Sequence, residues 1–507
     1  MNKFKQKFTS YLKGQGFSAT VLVAIIIAAV VLVNVIIYTV TAVIPRQNGA
    51  GGSDDFTISD SSDALFEPYI ASGERVTLTF CSYEDVVSTH TTGSSVLKTA
   101  REFEKNYPGF VTLRFVNAVT KLDSDGKSVA EELEIYKNEG KNIIDETTVI
   151  FSTESRYRVI TDLYTAQGYS NFYTLDDQKM ITSYNGEEMI ASSILWVLTE
   201  NHGVAYMTVG HGETANITLY NILTAAGYEV RDINLRKSEI PEDAELLIIS
   251  NPTADFERAA EGSSIVAEYD RLRAYQRRGG HFFIALNSYA KALPVLEGFI
   301  ADFGISISKN DDGEKLLIKD SANAITTDGF TLVADYADST LASDMQAKIT
   351  ERTDSSGAVV IRNVVALGLD SAKPGAMPLL LSSSSSVCEA AGSTVSSDGN
   401  YVIAAASTLQ NDMADEAKMF VMSDGMLTSG DAIVSNGYSN KDFLYSLFDV
   451  FYEKGDMPYG CGAIVLQTQI LENLTMGDAR AYAAVLLLIP VAIAATGAVL
   501  LRRRKNR

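Results

Sequence analysis

"VAYMTVGHGETANITLYNILTAAGYEVRDINL" runs from Val204 to Leu235, and its reading decides the fold of the larger half of this chain. Val204 to Val209 is a compact apolar run of strand length. Gly210-His211-Gly212-Glu213 is a tight loop. "ITLYNILTAAG" then places apolar residues at helical spacing and stops at Gly227. "YEVRDINL" returns to strand character. Strand, loop, helix and strand in this order are the unit of a parallel sheet with right-handed crossovers.

The same rhythm continues downstream. "AELLIIS", Ala244 to Ser250, is a continuous apolar strand of the kind buried on both faces. "SIVAEYDRLRAYQRRGG" is a helix closed by a double glycine, "HFFIAL" a strand and "KALPVLEGFIADFG" a helix. Residues 308–378 lose the pattern and read as an insertion of mostly β character. "SSSSS", Ser382 to Ser386, reads as a low-complexity loop. "NYVIAAAS", "AKMFVMSDG" and the helix "SNKDFLYSLFDVFYEKG" resume the alternation. Residues 185–455 are therefore expected to form a doubly wound α/β domain.

Upstream, "RVTLTF" is a strand, "SSVLKTAREFEKNYPG" a helix stopped by Pro108-Gly109, and "FVTLRFVNA" a second strand. A short helix, "SVAEELEIYKNEG", precedes two strands, "TTVIFST" and "RYRVIT". That order matches a thioredoxin-like domain over 70–184. Its first strand ends in Cys81 with no second cysteine nearby, which speaks against a redox pair. The other two cysteines, Cys388 and Cys461, are far apart in sequence, so no disulfide framework is implied. "NGEEMIASSILWVLTE" is an amphipathic helix linking the two domains.

Near each end of the chain lies an apolar run free of charge. Val21 to Ile44 and Ala481 to Leu501 contain no Asp, Glu, Lys or Arg. Roughly 20 apolar residues cross a bilayer core as a helix, so transmembrane helices are expected at 16–44 and 480–501. Lys3, Lys5, Lys7 and Lys13 precede the first, and Arg502, Arg503, Arg504, Lys505 and Arg507 follow the second. The excess of basic residues puts both tails, 1–15 and 502–507, in the cytoplasm and residues 45–479 outside a plasma membrane. A Gly/Ser/Asp-rich flexible tether is expected at 45–69 and a juxtamembrane segment at 456–479. The ends and their apolar runs hold ten Lys/Arg and no acid, against −21 for the whole chain, so the middle carries −31. So acidic a surface excludes electrostatic binding of nucleic acid.

In open α/β sheets, ligands bind outside the carboxyl ends of the strands. Four such ends carry polar residues: Gly210 to Glu213, Asn251 to Thr253, Asn287-Ser288 and Ser423 to Gly425. His211, Glu213, Asn251, Asn287 and Asp424 are thus candidates for a binding crevice, with Gly210 and Gly212 as turn glycines. The competing reading is that polar residues there merely close turns and cap helices, with Thr214 or Asn216 as the cap.

Familiar chemistries find little footing. His211-x-Glu213 matches half of a zinc deaminase signature, but the Pro-Cys-x-x-Cys half is absent. There are four histidines, no His-Glu-x-x-His and no Gly-x-Ser-x-Gly. Gly126-Lys127-Ser128 ends like a phosphate loop, but Lys121 stands where its first glycine belongs. Gly210 to Ala215 fits a loose dinucleotide pattern, with Glu213 set against the phosphates. No catalytic residue, metal or cofactor is expected.

"YMTVGHGE", the run through "EIPEDAELLIISNP", and "LRAYQRRGGHFFIALN" together resemble the auxiliary proteins of gliding-motility-type ABC transport systems. "MFVMSDGMLTS" and "GYSNKDFLYSLFDVF" are similar to later segments of that family. The resemblance implies a membrane-anchored extracytoplasmic subunit with a separate permease and ATPase as partners. It also implies that the second domain is a degenerate relative of class I glutamine amidotransferases. Their nucleophilic cysteine would sit at Ser250-Asn251-Pro252, where this chain has none. The function expected is thus a non-enzymatic ABC transporter component presenting a ligand- or partner-binding ectodomain. The alternatives are an ectoenzyme of hydrolase type using His211, Glu213 and Asp424, or an envelope scaffold that grips a surface polymer or protein.

Overall fold

The structure, a computed structural model, describes residues 56–465 apart from 165–170, 176–180, 214–216, 261–265, 354, 356, 397, 411–415, 424 and 426–437. The tails, both apolar runs and Asp424 lie outside the described residues. Among the described residues, no helix is long and apolar enough to cross a membrane.

The first domain starts earlier than its composition suggests. The expected tether at 45–69 is corrected by helix α1, Asp60–Ala71. It folds because Leu65 and Phe66 are buried. The Phe66 ring meets Phe103, Tyr107 and Phe110 at 5.4–6.1 Å. Asp60 and Asp63, which make the stretch look like a linker, suit the positive end of a helix.

Five strands follow: β1 (Val76–Phe80), β2 (Val111–Asn117), β3 (Leu122–Asp123), β4 (Val149–Ser152) and β5 (Tyr157–Ile160). They form one sheet in the order β3-β2-β1-β4-β5. β1 and β2 are parallel, joined through α2 (Glu84–Thr89) and α3 (Gly93–Asn106), while β4 is antiparallel to both of its neighbours. Helix α4 (Ala130–Tyr136) covers Cys81, Val116 and Ile150 through Leu133. β6 (Tyr173–Leu175) and β7 (Ile181–Tyr184) pair beyond this sheet. Helix α5 (Gly186–Leu198) then leads into the second domain.

There, β8 (Gly203–Thr208), β9 (Tyr228–Ile233), β10 (Ala244–Ser250), β11 (His281–Leu286) and, much later, β21 (Glu416–Ser423) are parallel, in the order β9-β8-β10-β11-β21. Alternate residues of these strands feed opposite faces. Ala205, Leu246 and Ile248 pack with α6 (Ile217–Ala225) on one side. Val204, Leu247 and Ile249 pack with α7 (Glu268–Arg277) and α8 (Pro294–Asp302) on the other. The chain is thus a mixed α/β protein whose parallel strands are wound on both faces.

The insertion is rich in strands, and one helix, α9 (Thr340–Thr353), also runs through it and buries Ala342, Met345 and Ile349. Most strands of this region join the large sheet. Of β12 (Ile305–Ile307), β13 (Leu317–Lys319), β14 (Thr331–Tyr336), β15 (Val359–Arg362), β16 (Leu367–Leu369) and β17 (Ala376–Leu381), all but β13 extend the large sheet. β13 pairs instead with β18 (Val387–Ala390), next to β19 (Ser393–Thr394). β20 (Val402–Gln410) joins the two halves of the large sheet, antiparallel to β17 and β21. The expected parallel sheet is therefore half antiparallel, since β20 and β21 form a hairpin-like neighbour pair that reverses direction.

The far edge strand, β15, is closed by one side chain. Asn440 accepts from the Val360 N–H at 2.8 Å and donates to the Val360 carbonyl at 2.6 Å, as a neighbouring strand would. Asn440 opens α10 (Asn440–Ser446), which continues as a wider turn over Leu447–Phe451. The chain then returns to the first domain, so the expected juxtamembrane segment from 456 is folded as far as Val465. Met457, Tyr459, Cys461 and Ala463 are buried. β22 (Ile464–Val465) pairs with β7, Ile464 opposite Tyr184. Phe56, the first described residue, meets the same Tyr184 ring at 5.7 Å. Both ends of the folded body therefore converge on one tyrosine.

Two adjacent glutamates at the start of α5 fasten these ends. Glu187 accepts from the N–H and hydroxyl of Ser59, each at 2.6 Å. Glu188 accepts from Lys441 at 2.8 Å and from the Tyr445 hydroxyl, while Lys441 also donates to the Cys461 carbonyl at 2.7 Å.

Candidate functional site

The parallel strands β8, β10, β11 and β21 bring all four polar ends to one edge of the sheet. Chain order reverses between β8 and β10, because β9 lies to one side and β11 to the other. That switch point is where a crevice opens in folds of this kind. Here the two loops are stitched together. The His211 carbonyl accepts the N–H groups of Thr253 and Ala254, both at 2.9 Å.

The stitch demands the glycines. Gly210 has φ 117° and Gly212 φ 75°, where an L side chain is strained. A Cβ on Gly212 would also lie 2.0 Å from the Thr253 hydroxyl oxygen. Asn251 has φ 58°, a region that asparagine tolerates, and its N–H donates to the Ala285 carbonyl at 2.8 Å.

His211 is fully buried, at 0% exposure. Its Nδ1 faces Glu213 Oε1 and its Nε2 faces Glu268 Oε2, each at 3.0 Å. Phe256 stacks on the ring at 4.0 Å. Ionised carboxylates only accept, so both ring nitrogens donate and the imidazole is held as the cation. Burial pushes its pKa down, but the hydrogen bonds and charges of Glu213 and Glu268 outweigh that, and the net shift is upward. Burial pushes Glu213 up, yet His211 and main-chain N–H groups bring it down to about 2. The Glu257 N–H donates to Glu268 at 2.8 Å. Arg236 closes the cluster, 3.2 Å from Glu257 and 3.8 Å from Glu268.

A general base needs a ring nitrogen free to take a proton. Both nitrogens of His211 are engaged, so the arrangement works as an ionic clasp between the β8 loop and the start of α7. Glu268, Phe256 and Arg236 were not among the residues singled out from the sequence. Glu268 is 57 positions from His211, and nothing local marks it.

The other two strand ends are covered by the insertion. Asn287 closes its own turn, its side-chain oxygen accepting from the N–H groups of Tyr289 and Ala290 at 2.8 Å. Its carbonyl takes Lys315 Nζ at 2.7 Å. The Ser288 hydroxyl donates to the Asn363 carbonyl, and the Ser423 hydroxyl accepts the Val365 N–H at 2.8 Å. At Gly425 a Cβ would lie 1.7 Å from the Arg362 carbonyl. Main chain 362–365 therefore lies against the ends of β11 and β21. Asp424 is outside the described residues.

Among the described residues, no group of three or more His, Cys, Asp or Glu is placed to hold a metal ion. The three cysteines are free and buried. Burial, then the charge of Asp145, pushes the Cys81 thiol up to about 12, far from the thiolate that redox chemistry uses.

No protein-family model matches the chain, and no curated protein matches it. Solved structures with a similar arrangement include the "mmIFT52 N-terminal domain", 15% identical, covering 49% of this chain and 96% of that one at a TM-score of 0.33. A ThuA-like protein from Bacteroides uniformis is 12% identical, covering 51% and 94% at 0.31. A glutamine amidotransferase from Methylobacillus flagellatus is 9% identical, covering 51% and 97% at 0.28. Scores this low assign no function to the chain.

Proposed function

We propose that the protein is a non-enzymatic, membrane-anchored extracytoplasmic subunit of an ABC transporter, working with a separate permease and ATPase. In this reading a thioredoxin-like domain and a degenerate amidotransferase-like domain form the ectodomain, and the apolar runs at either end are its anchors. The observation that carries the reading is the convergence of both ends of the body on Tyr184. A folded body held by two spans must send both ends toward one bilayer, and here Phe56 packs on the Tyr184 ring while Ile464 pairs with the Tyr184 main chain. Charge-free runs of spanning length lie beyond each end, flanked by lysines and arginines. The non-enzymatic part rests on His211, whose ring nitrogens are both engaged by carboxylates.

Topology is tested by thiol labelling of intact cells with a membrane-impermeant maleimide. Cysteine introduced by Tyr289→Cys, at a residue 73% exposed, is expected to react from outside. Cysteines from Asn2→Cys and Asn506→Cys are expected to react only after the membrane is permeabilised. Labelling of either tail in intact cells, or protection of Tyr289→Cys, contradicts the proposal.

A further inference from the structure

The opposite edge of the large sheet holds a cavity of about 280 Å³. It lies at the amino ends of β9, β10 and β11, away from His211. Tyr228, Tyr275 and Tyr452 wall it, with Glu242, Glu245 and His281 among its other lining residues. The three tyrosines are buried. Tyr452 donates its hydroxyl to the Phe282 carbonyl at 2.6 Å, and Phe448 packs on both Tyr228 and Tyr452. The walls are therefore fixed aromatic rings.

The chain itself supplies cations to these rings. Lys454 Nζ sits 4.5 Å from the Tyr228 ring centre and 2.7 Å from Glu245 Oε2. The Arg278 guanidinium lies 5.1 Å from the Tyr275 ring centre and is hydrogen-bonded to the Ile240 and Pro241 carbonyls. Aromatic faces beside carboxylates attract ammonium groups through the ring quadrupole and the charge together. Burial and the neighbouring Lys418 push the His281 pKa down to about 4, so that ring adds no competing positive charge near neutral pH. Glu242 is exposed and pairs with no cation among the described residues.

We propose that this cavity is a binding site for an alkylammonium group, with Glu242 as its counter-ion and the tyrosine rings as its walls. Lys454, on the Tyr228 ring and bonded to Glu245, is the internal cation with which a ligand competes. The same chemistry is carried by a free small amine and by a lysine side chain presented by a partner. The site is independent of the transporter reading, and its test uses purified protein alone.

The test is isothermal titration calorimetry of the full-length protein in detergent with butylammonium, with Nα-acetyl-lysine amide, and with acetate as the anionic control. Saturable binding of a cation is expected, weakened about fivefold by Glu242→Gln and tightened about fivefold by Lys454→Ala. Tighter binding of butylammonium identifies a free amine as the ligand, and tighter binding of the lysine derivative identifies a partner side chain. Glu242 is exposed and has no ion-pair partner among the described residues, so Glu242→Gln leaves the fold intact even if Lys454→Ala does not. Absence of saturable binding by either cation overturns the proposal. So does cation binding indifferent to Glu242→Gln, or binding of acetate in place of the cations.

Discussion

At His211 a motif that suggests chemistry forms a buried ionic cluster. Histidine and glutamate beside two glycines suggest chemistry, yet the ring is buried between two carboxylates and a phenyl ring. Removing one member of a buried ionic cluster leaves the others unpaired, so His211→Ala should cost about 3 kcal/mol in denaturant unfolding. That cost should depend on pH. The folded pKa of His211 lies above its ordinary 6.5, so its contribution is complete below 6.5 and is lost as pH rises through the raised value. Glu213 is shifted the other way, from 4.5 to about 2, so its contribution is complete above 4.5 and is lost on acidification toward 2. The stability gap between wild type and His211→Ala should therefore be widest between pH 4.5 and 6.5; an equal gap at pH 5.5 and pH 9 would refute the clasp. Gly212→Ala should destabilise by about 2 kcal/mol, because it adds left-handed strain to the approach of Thr253. The glycines were legible from the sequence as turn formers. The clasp was not, because Glu268 and Phe256 reach His211 only through the fold.

Among the elements, the long apolar ones were legible and the short polar ones were not. β8, β10 and β11 stand out because they are buried on both faces and read as continuous apolar runs. Helix α1 was hidden by its serines and aspartates, since its evidence is two buried side chains whose partners come from α3 and the turn after it. Phe66→Ala should cost about 3–5 kcal/mol and lower the thermal midpoint; a change below 1 kcal/mol would mean that α1 is not docked. Helix α9 was missed because its buried positions are few, Ala342, Met345 and Ile349 among polar residues. The serine run was read as a featureless loop, but Ser383 donates its N–H and hydroxyl to the buried Asp320 carboxylate at 2.9 and 2.8 Å. At the junction of the domains, Glu188→Ala would leave Lys441 buried without its carboxylate. Unfolding curves should show a loss of about 3–5 kcal/mol, and a neutral result would mean that this pair does not fasten the chain ends.

For the whole molecule, Phe56 and Ile464, near the two ends of the described body, both meet Tyr184 although the whole body separates them in sequence. The sequence alone shows two apolar runs of spanning length but not that residues near both ends of the body lie beside one tyrosine. It also suggests an open crevice at the carboxyl edge of the sheet. There the β8 and β10 loops are joined through His211, and main chain 362–365 lies against β11 and β21. The cavity at the opposite edge was invisible beforehand, because Tyr228, Tyr275 and Tyr452 belong to three separate elements and read as ordinary core. As the proposed subunit of a transporter, the protein requires a permease and an ATPase as partners, and that is the central claim. The most direct measurement is affinity purification of the tagged full-length protein from its own membrane in mild detergent, with mass-spectrometric quantification of what accompanies it. An ABC permease and an ATPase, each in near-stoichiometric amount, is the expected result. Recovery of the protein alone as a stable monomer, or from the soluble fraction, would contradict the account.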